Sequence, residues 1–120
     1  MGYRYAPLMD DAGTRVPAVR YPSNAPGTSR RIDRSFENAP PLIPHDISDM
    51  LPIKRGKNLC ISCHMPDVAV GMGATPVPRS HLVDLRTGRN LGGKLYQGRY
   101  FCIQCHVPQA ELKPLIKNGF

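Results

Sequence analysis

The first 41 residues show little of the hydrophobic patterning that predicts regular structure. The stretch 20–41 mixes proline, serine, asparagine, glycine and charged residues, and its apolar positions have no clear period. Six of the 13 prolines lie in residues 1–41, so the pattern predicts extended or polyproline-like backbone. Two interpretations stay open for this basic segment: disorder in the isolated chain, and an arm that wraps a partner protein. The aromatic anchors of such an arm would be Tyr3, Tyr5, Tyr21 and Phe36.

Residues 42–120 carry the organisation of the chain, and they contain an internal repeat. The segment NLCISCHMP (58–66) aligns with YFCIQCHVP (100–108), and both copies read Cys-Ile-x-Cys-His-x-Pro. One further histidine lies upstream of each copy, in the segments IPHDISDM and PRSHLVDL. We therefore expect a single domain over 42–120, built from two similar units that each read histidine, spacer, motif.

Only short helices are predicted in this domain. The pattern places them at 58–64, 99–106 and 108–117, and the proline two residues past each motif histidine should end its helix. The spacer 71–98 is rich in glycine and proline and is predicted to be loop.

The composition gives the same picture. The 120 residues include 13 Pro, 11 Gly and three Phe, and they include no Trp. Proline and glycine at this level oppose long helices and central strands. Because so small a domain buries proportionally little surface, we expect it to take hydrophobic mass from something it binds.

Charge and hydropathy exclude several classes of protein. The formal net charge is +7, but the strongest basic patches, Arg30–Arg31 and 54–57, lack the footprint of a nucleic-acid-binding surface. No apolar run approaches the roughly 20 residues of a membrane span. The N-terminus has no apolar region of the signal-peptide type, so we expect a soluble chain in its mature form.

The repeated motif Cys-x-x-Cys-His is the attachment signature of c-type haem. Two thiols three residues apart lie on one side of a helical turn, where they can add to the two vinyl groups of a porphyrin, and the next histidine can bind the iron. The expected haem attachment residues are Cys60, Cys63, Cys102 and Cys105. His64 and His106 are then the proximal ligands of two covalently bound c-type haems.

Two histidines remain, and two haem irons each need a sixth ligand. His45 and His81 are the only other histidines in the chain, and one precedes each motif. We therefore predict both as iron ligands. Met72 in the spacer is the main rival ligand, whereas Met65 follows His64 too closely to reach the opposite face of the same haem.

The repeat also predicts which histidines share an iron. It pairs His45 with His64 at the first haem and His81 with His106 at the second. Crossed pairing stays open if the haems stack closely.

Three other cysteine chemistries explain the sequence less well. The 38 residues between Cys63 and Cys102 are a longer spacing than compact zinc modules have between their ligand pairs. Zinc would also not require a histidine directly after each cysteine pair. A redox dithiol of the thioredoxin type needs a βαβ context that this proline-rich chain lacks. Disulfides would leave the two motif histidines unexplained.

The chain resembles the small dihaem cytochrome c subunits of periplasmic nitrate reductases. The resemblance covers residues 38–118 and is carried by NAPPLIPHDI (38–47), NLCISCH (58–64), PRSHLVD (78–84) and GRYFCIQCHVPQAELKPLIKN (98–118). It implies axial ligation of the first haem by His45 and His64, and of the second by His81 and His106. The fold it implies is mostly irregular, with a few short α-helices packed around two c-type haems and little or no sheet.

The resemblance also implies partners. Members of this family form a complex with a large catalytic subunit that carries a molybdopterin cofactor and an iron–sulfur cluster. Electrons reach them from a membrane-anchored multihaem quinol dehydrogenase. Their extended ends wrap the catalytic subunit, a role that would suit residues 1–41.

Two classes of function follow from these expectations. In the first, the protein is an electron carrier whose irons are saturated by histidine, with catalysis on a separate subunit. In the second, it is a small multihaem enzyme, or an unrelated carrier, in which one haem is open to a substrate such as nitrite or peroxide. The second class requires His45 or His81 to be a bystander. Haem attachment to thiols takes place on the periplasmic side in bacteria, so we expect a periplasmic protein.

Overall fold

The computed structural model describes residues 7, 9–10, 12–13 and 18–112, and irregular backbone dominates these ranges. They contain two short α-helices, α1 (Leu59–His64) and α2 (Pro66–Ala69). They also contain four 3₁₀ turns, at Ser48–Met50, Arg79–His81, Gln97–Arg99 and Cys102–Gln104.

Extended segments in the described ranges meet only at isolated bridges and form no strand. These bridges join Ile43 to Pro108, Lys54 to Lys57 and Val83 to Asn90. The predicted fold class, mostly irregular with a few short helices and little or no sheet, is therefore confirmed. No helix within the described ranges has the length and apolar character needed to cross a bilayer.

Helix α1 carries the first motif, and its ends follow from the local sequence. Asn58 adopts extended backbone as the N-cap, and its side-chain Oδ1 accepts a hydrogen bond from the Cys60 amide at 3.0 Å. The helix ends at His64 because Met65, which precedes a proline, is held in extended conformation. Pro66 then starts α2 at its first position, where the missing N–H costs nothing. The predicted helix at 58–64 is confirmed to within one residue.

The second motif does not form the single short helix predicted for 99–106, and that prediction was wrong. Two 3₁₀ turns, Gln97–Arg99 and Cys102–Gln104, replace it. The position equivalent to Asn58 is Tyr100, and no side chain caps the turn that begins at Cys102. Without a capping acceptor, the free amides of a helical first turn have no partner.

Two further predictions concern the remaining helix and the spacer. Residues 108–112 are not helical, and 113–117 lie outside the described residues, so a helix over 108–117 is not found where it can be examined. The spacer 71–98 is loop apart from the 3₁₀ turn Arg79–His81 and the start of Gln97–Arg99.

Segments between 20 and 32 lie against the later part of the same chain. The Gln109 side chain donates to the Arg30 carbonyl at 2.7 Å and accepts from the Ile32 amide at 3.2 Å. The Asp46 amide donates to the Asn24 carbonyl at 2.9 Å. Of the predicted aromatic anchors, Tyr21 and Phe36 are exposed, while Tyr3 and Tyr5 lie outside the described residues. The division into an arm (1–41) and a haem domain (42–120), with a partner along the arm, stays a prediction.

Very little of the described chain is buried. The buried apolar residues are Ala39, Ile53 and Ala69, and Asn58 is the one buried polar residue among those described. Large apolar side chains beside both motifs are exposed, namely Leu59, Phe101, Ile103 and Val107. Exposed apolar side chains beside a motif are typical of a surface that binds a ligand or a partner protein.

Candidate haem-binding site

The first histidine pair joins the end of α1 to an extended segment. His64 is the last residue of α1, and His45 lies two residues past the bridge at Ile43. Their ring centres are 6.4 Å apart, and the ring planes differ by only 14°. We call this pair site 1.

The second pair joins two 3₁₀ turns. His81 ends the turn Arg79–His81, and His106 follows the turn Cys102–Gln104. Their ring centres are 6.2 Å apart, with ring planes at 39°. We call this pair site 2. The structure thus brings together the histidines that the repeat pairs, and it does not cross them.

The spacing in both pairs suits one metal ion between the rings. A bond from a transition metal to an imidazole nitrogen is about 2 Å long and the ring centre lies about 1 Å beyond that nitrogen, so two imidazoles on opposite sides of one ion have centres about 6 Å apart. In the described ranges, no three His, Cys, Asp or Glu side chains converge as a metal site. A pair of histidines suits an ion whose other ligands come from a porphyrin.

Every histidine of the two pairs has its Nδ1 atom engaged elsewhere. The Nδ1 atoms of His45, His64 and His106 lie 2.8, 2.6 and 2.8 Å from the carbonyl oxygens of Asp46, Thr75 and Pro41 respectively. The Nδ1 atom of His81 lies 3.1 Å from the hydroxyl of Ser80.

These bonds select the ring nitrogen that can bind iron. A carbonyl oxygen only accepts, so Nδ1 donates its proton in three of the rings and the lone pair is on Nε2. Such outer hydrogen bonds fix the tautomer and ring orientation of metal-binding histidines. Sequence reasoning did not find the carbonyls of Thr75 and Pro41, because a backbone carbonyl leaves no signature in side-chain identity.

Site 2 is also electrostatically suited to a neutral ligand. Burial lowers the pKa of His81, and the positive charge of Arg99 and the neighbouring His106 lower it further. The neutral imidazole is the form that binds metals.

The first cysteines of the two motifs lie side by side. A hydrogen bond between their thiols raises the pKa of Cys60, and the same bond lowers the pKa of Cys102 to about 6, with further help from Asn58. All four cysteines are free thiols, at Cys60, Cys63, Cys102 and Cys105. The two predicted attachment points are therefore neighbours in space, although Cys60 and Cys102 are 42 positions apart in the sequence.

Asn58 connects the motifs, and sequence reasoning missed it. Its side-chain Nδ2 donates to the Tyr100 carbonyl at 2.7 Å and lies 3.7 Å from the Cys102 sulfur, while its Oδ1 caps α1. A second bond joins the same two parts of the chain, because the Tyr100 hydroxyl donates to the Lys54 carbonyl at 2.9 Å. Asn58 and Tyr100 occupy equivalent positions of the repeat, and this equivalence is the feature of the sequence that could have drawn attention to Asn58.

Two observations decide whether these residues fit a haem. The donor set at each site is two free thiols and two imidazoles, next to exposed apolar side chains. The Nε atom of Arg99 is buried without a hydrogen-bond partner, close enough to His81 to affect its charge. A haem has an apolar ring, an iron and carboxylates. The exposed apolar side chains suit the ring, the histidines suit the iron, and Arg99 suits a carboxylate, so the residues fit a haem. Met72, the rival ligand, is exposed in the turn after α2.

The fold and the two motif sites place the protein in the class of c-type cytochromes. The sequence profile of the NapB family, described as the nitrate reductase cytochrome c-type subunit, matches residues 6–120. The chain belongs to the NapB family, which confirms the resemblance seen in the sequence.

Individual relatives agree with this assignment. The periplasmic nitrate reductase electron transfer subunit of Wolinella succinogenes is 45% identical over the whole chain, which covers 64% of that protein. The Escherichia coli subunit of the same name is 30% identical over 99% of this chain and 75% of its own length. A crystal structure of partially reduced periplasmic nitrate reductase from Cupriavidus necator matches with a TM-score of 0.58 and 33% identity, covering 95% of this chain and 86% of that chain. The chain spans slightly less than two thirds of the Wolinella relative's length.

Proposed function

We propose that the protein is an electron-transfer subunit of a periplasmic nitrate reductase and carries two covalently bound c-type haems. The observation that carries this proposal is the pairing of all four histidines at the spacing of a shared metal ion, with each Nδ1 engaged elsewhere. When bound, each haem supplies reversible one-electron chemistry.

The chain's own residues divide the work of holding these groups. Cys60 and Cys63 would form the thioether bonds of the first site, and Cys102 and Cys105 would form those of the second. His45 and His64 would hold the first iron, and His81 and His106 would hold the second. Two histidines on each iron would leave no position for a substrate, which favours a carrier over an enzyme. Without a methionine ligand, the potentials should be lower than in cytochromes with methionine and histidine ligands.

The proposed partners follow from the family. The relatives are named as electron transfer subunits of periplasmic nitrate reductase, so the acceptor we propose is a large catalytic subunit with molybdopterin and an iron–sulfur cluster. The donor is a membrane-anchored multihaem quinol dehydrogenase, and the compartment is the periplasm. Basic side chains around the motifs would steer docking to an acidic surface, which mainly raises the association rate. Arg99 is half-buried, whereas the other basic side chains around the motifs are exposed, namely Lys54, Arg55, Lys57, Arg79, Arg86, Arg89 and Lys94.

The intact mass of the purified protein tests the proposal. Protein produced with a haem-maturation system should exceed the polypeptide mass by two haems, and its oxidised irons should be wholly low-spin. An unmodified mass under those conditions would overturn the haem assignment. A high-spin fraction at the expected mass would instead support the open-haem alternative.

Arg99 should raise the reduction potential of the haem at site 2. A positive charge near an iron favours the reduced state, which carries one positive charge fewer, so Arg99→Gln should lower that potential. If Arg99 pairs with a haem carboxylate, the substitution would leave that carboxylate unpaired, and its negative charge would also lower the potential. The measurement is a spectroscopic redox titration of the two haems.

Two variants control for the charge of Arg99. Arg99→Lys keeps the charge and should stay near the wild-type potential. Arg86→Gln removes an exposed arginine from the loop 84–89 and should have a smaller effect, because water and salt screen exposed charges. Equal shifts in Arg99→Gln and Arg86→Gln would contradict a specific role for Arg99.

A further inference from the structure

The two histidines outside the motifs are each presented by a short proline-rich segment. We name them ligand arm 1 (residues 41–45), which ends at His45, and ligand arm 2 (residues 75–81), which ends at His81. Proline has no N–H and holds extended backbone, so three of the five residues in ligand arm 1 and five of the seven in ligand arm 2 have an amide donor. The hydrogen-bond partners of these amides, and of the arm carbonyls, help to fix where each arm lies.

Ligand arm 1 is bonded to the chain that leaves the second motif. The Ile43 amide donates to the Val107 carbonyl at 2.8 Å, and the Gln109 amide donates to the Ile43 carbonyl at 2.9 Å. His106 donates from Nδ1 to the Pro41 carbonyl at 2.8 Å. Yet the histidine at the end of this arm, His45, lies opposite His64 in site 1.

Ligand arm 2 shows the converse arrangement. The Val77 amide donates to the His64 carbonyl at 2.9 Å, and His64 donates from Nδ1 to the Thr75 carbonyl at 2.6 Å. Both bonds attach this arm to the end of the first motif. The histidine at its end, His81, lies opposite His106 in site 2.

We propose that the two haem sites brace each other: the arm that supplies a ligand to one site is positioned by the motif of the other. Ile43 and Val77 are equivalent positioning residues, since each donates its amide to the chain at the end of the opposite motif. The carbonyls of Pro41 and Thr75 are equivalent orienting groups, since each fixes the proximal histidine of that same motif. This inference rests on the proposed function, because it assigns the histidines as haem ligands.

Mutual bracing changes how the repeat is interpreted. Histidine, spacer and motif recur in sequence as if each unit bound its own haem independently. In space, the ligand arm of each unit is held by the other unit, so neither unit contains all the bonds that position its two histidines. A disturbance in one arm should therefore reach both irons.

Proline substitutions in the arms test this. Ile43→Pro and Val77→Pro each remove one amide donor from backbone that is already flanked by prolines. The readout is the electron paramagnetic resonance spectrum of the oxidised protein, in which each low-spin haem gives its own signal. Each variant should shift or lose both signals. Ile43→Pro should release His45 at site 1 and, by moving the Pro41 carbonyl, disturb His106 at site 2. Val77→Pro should release His81 at site 2 and, by moving the Thr75 carbonyl, disturb His64 at site 1.

The matched controls are Ile43→Ala and Val77→Ala, which shorten the same side chains and keep the amides. Both controls should retain the two wild-type signals. Mutual bracing is overturned if each proline variant changes only the signal of the site that its own arm supplies. It is equally overturned if the alanine variants reproduce the changes at both sites, because the side chains would then carry the effect.

Hydrogen exchange in the wild-type holoprotein gives a second test that needs no variant. The amides of Ile43 and Val77 should exchange at least about a hundredfold more slowly than that of Leu42, for which no acceptor is found among the described residues. Equal exchange rates for the three amides would overturn the bracing. The intact mass of the same sample shows separately whether two haems are attached, so failure here is distinguishable from failure of the proposed function.

Discussion

His81→Ala should convert one of the two haem irons from low-spin to high-spin and leave the other low-spin. Without the His81 imidazole, His106 would be the only histidine left to hold that iron, and a five-coordinate or water-bound haem iron is typically high-spin. The other site should survive, because ligand arm 2 holds His64 through the backbone of Val77 and Thr75, which this substitution keeps. Optical and electron paramagnetic resonance spectra of the oxidised protein provide the measurement.

His45→Ala is the matched variant at the other site. It should produce the same change at the iron of His64, and the double variant should have no bis-histidine haem left. Both haem additions should remain in the intact mass, because the thioether bonds come from the cysteines. A His81→Ala protein in which both irons stay low-spin would contradict the assignment and point to another ligand, with Met72 the first to test.

The general character of the fold was predictable from the sequence because it follows from composition. Proline and glycine at the observed frequency prevent long helices and sheets wherever they occur, so irregular backbone needed no knowledge of tertiary contacts. Helix α1 was predictable as well, since Asn58, the motif and Pro66 specify its start and end locally. The prediction of a helix at 99–106 was wrong because it relied on the repeat. Tyr100 occupies the position of Asn58, but tyrosine lacks the short acceptor that caps a helix.

The candidate site divides in the same way. Cys-x-x-Cys-His is a local pattern whose chemistry fixes its spacing, so the four cysteines and the two motif histidines could be named from the sequence. His45 and His81 followed by elimination. The groups that orient the rings could not be named, because the carbonyls of Pro41 and Thr75 reach their histidines through tertiary structure.

The segment 20–32 shows a further limit. Its composition predicted extended backbone, but composition says nothing about which surface an extended segment contacts. The Gln109 side chain bonds Arg30 and Ile32 with both its donor and its acceptor, as a neighbouring strand would. The two bonds of this glutamine, across 77 and 79 residues, have no periodic pattern in the sequence that marks them.

Asn58→Ser should lower the free energy of unfolding of the holoprotein by about 1–3 kcal/mol, because it separates the two roles of this buried side chain. Serine caps helices about as well as asparagine, so the bond to the Cys60 amide can be kept. Serine is too short to reach the Tyr100 carbonyl, which accepts from Asn58 at 2.7 Å in the wild type. The expected loss is the cost of removing this part-buried hydrogen bond, and denaturant unfolding followed by haem absorbance measures it.

Two companion variants isolate the cause. Asn58→Ala should lose about 1 kcal/mol more than Asn58→Ser, because alanine also removes the cap. Asn58→Asp keeps the cap but places carboxylate oxygen against the Tyr100 carbonyl, so it should be no more stable than Asn58→Ser despite its excellent capping. If Asn58 acted only as a cap, serine and aspartate would both match the wild type. A loss shared by serine and aspartate would instead show that the bond between the two motifs stabilises the fold beyond α1 itself.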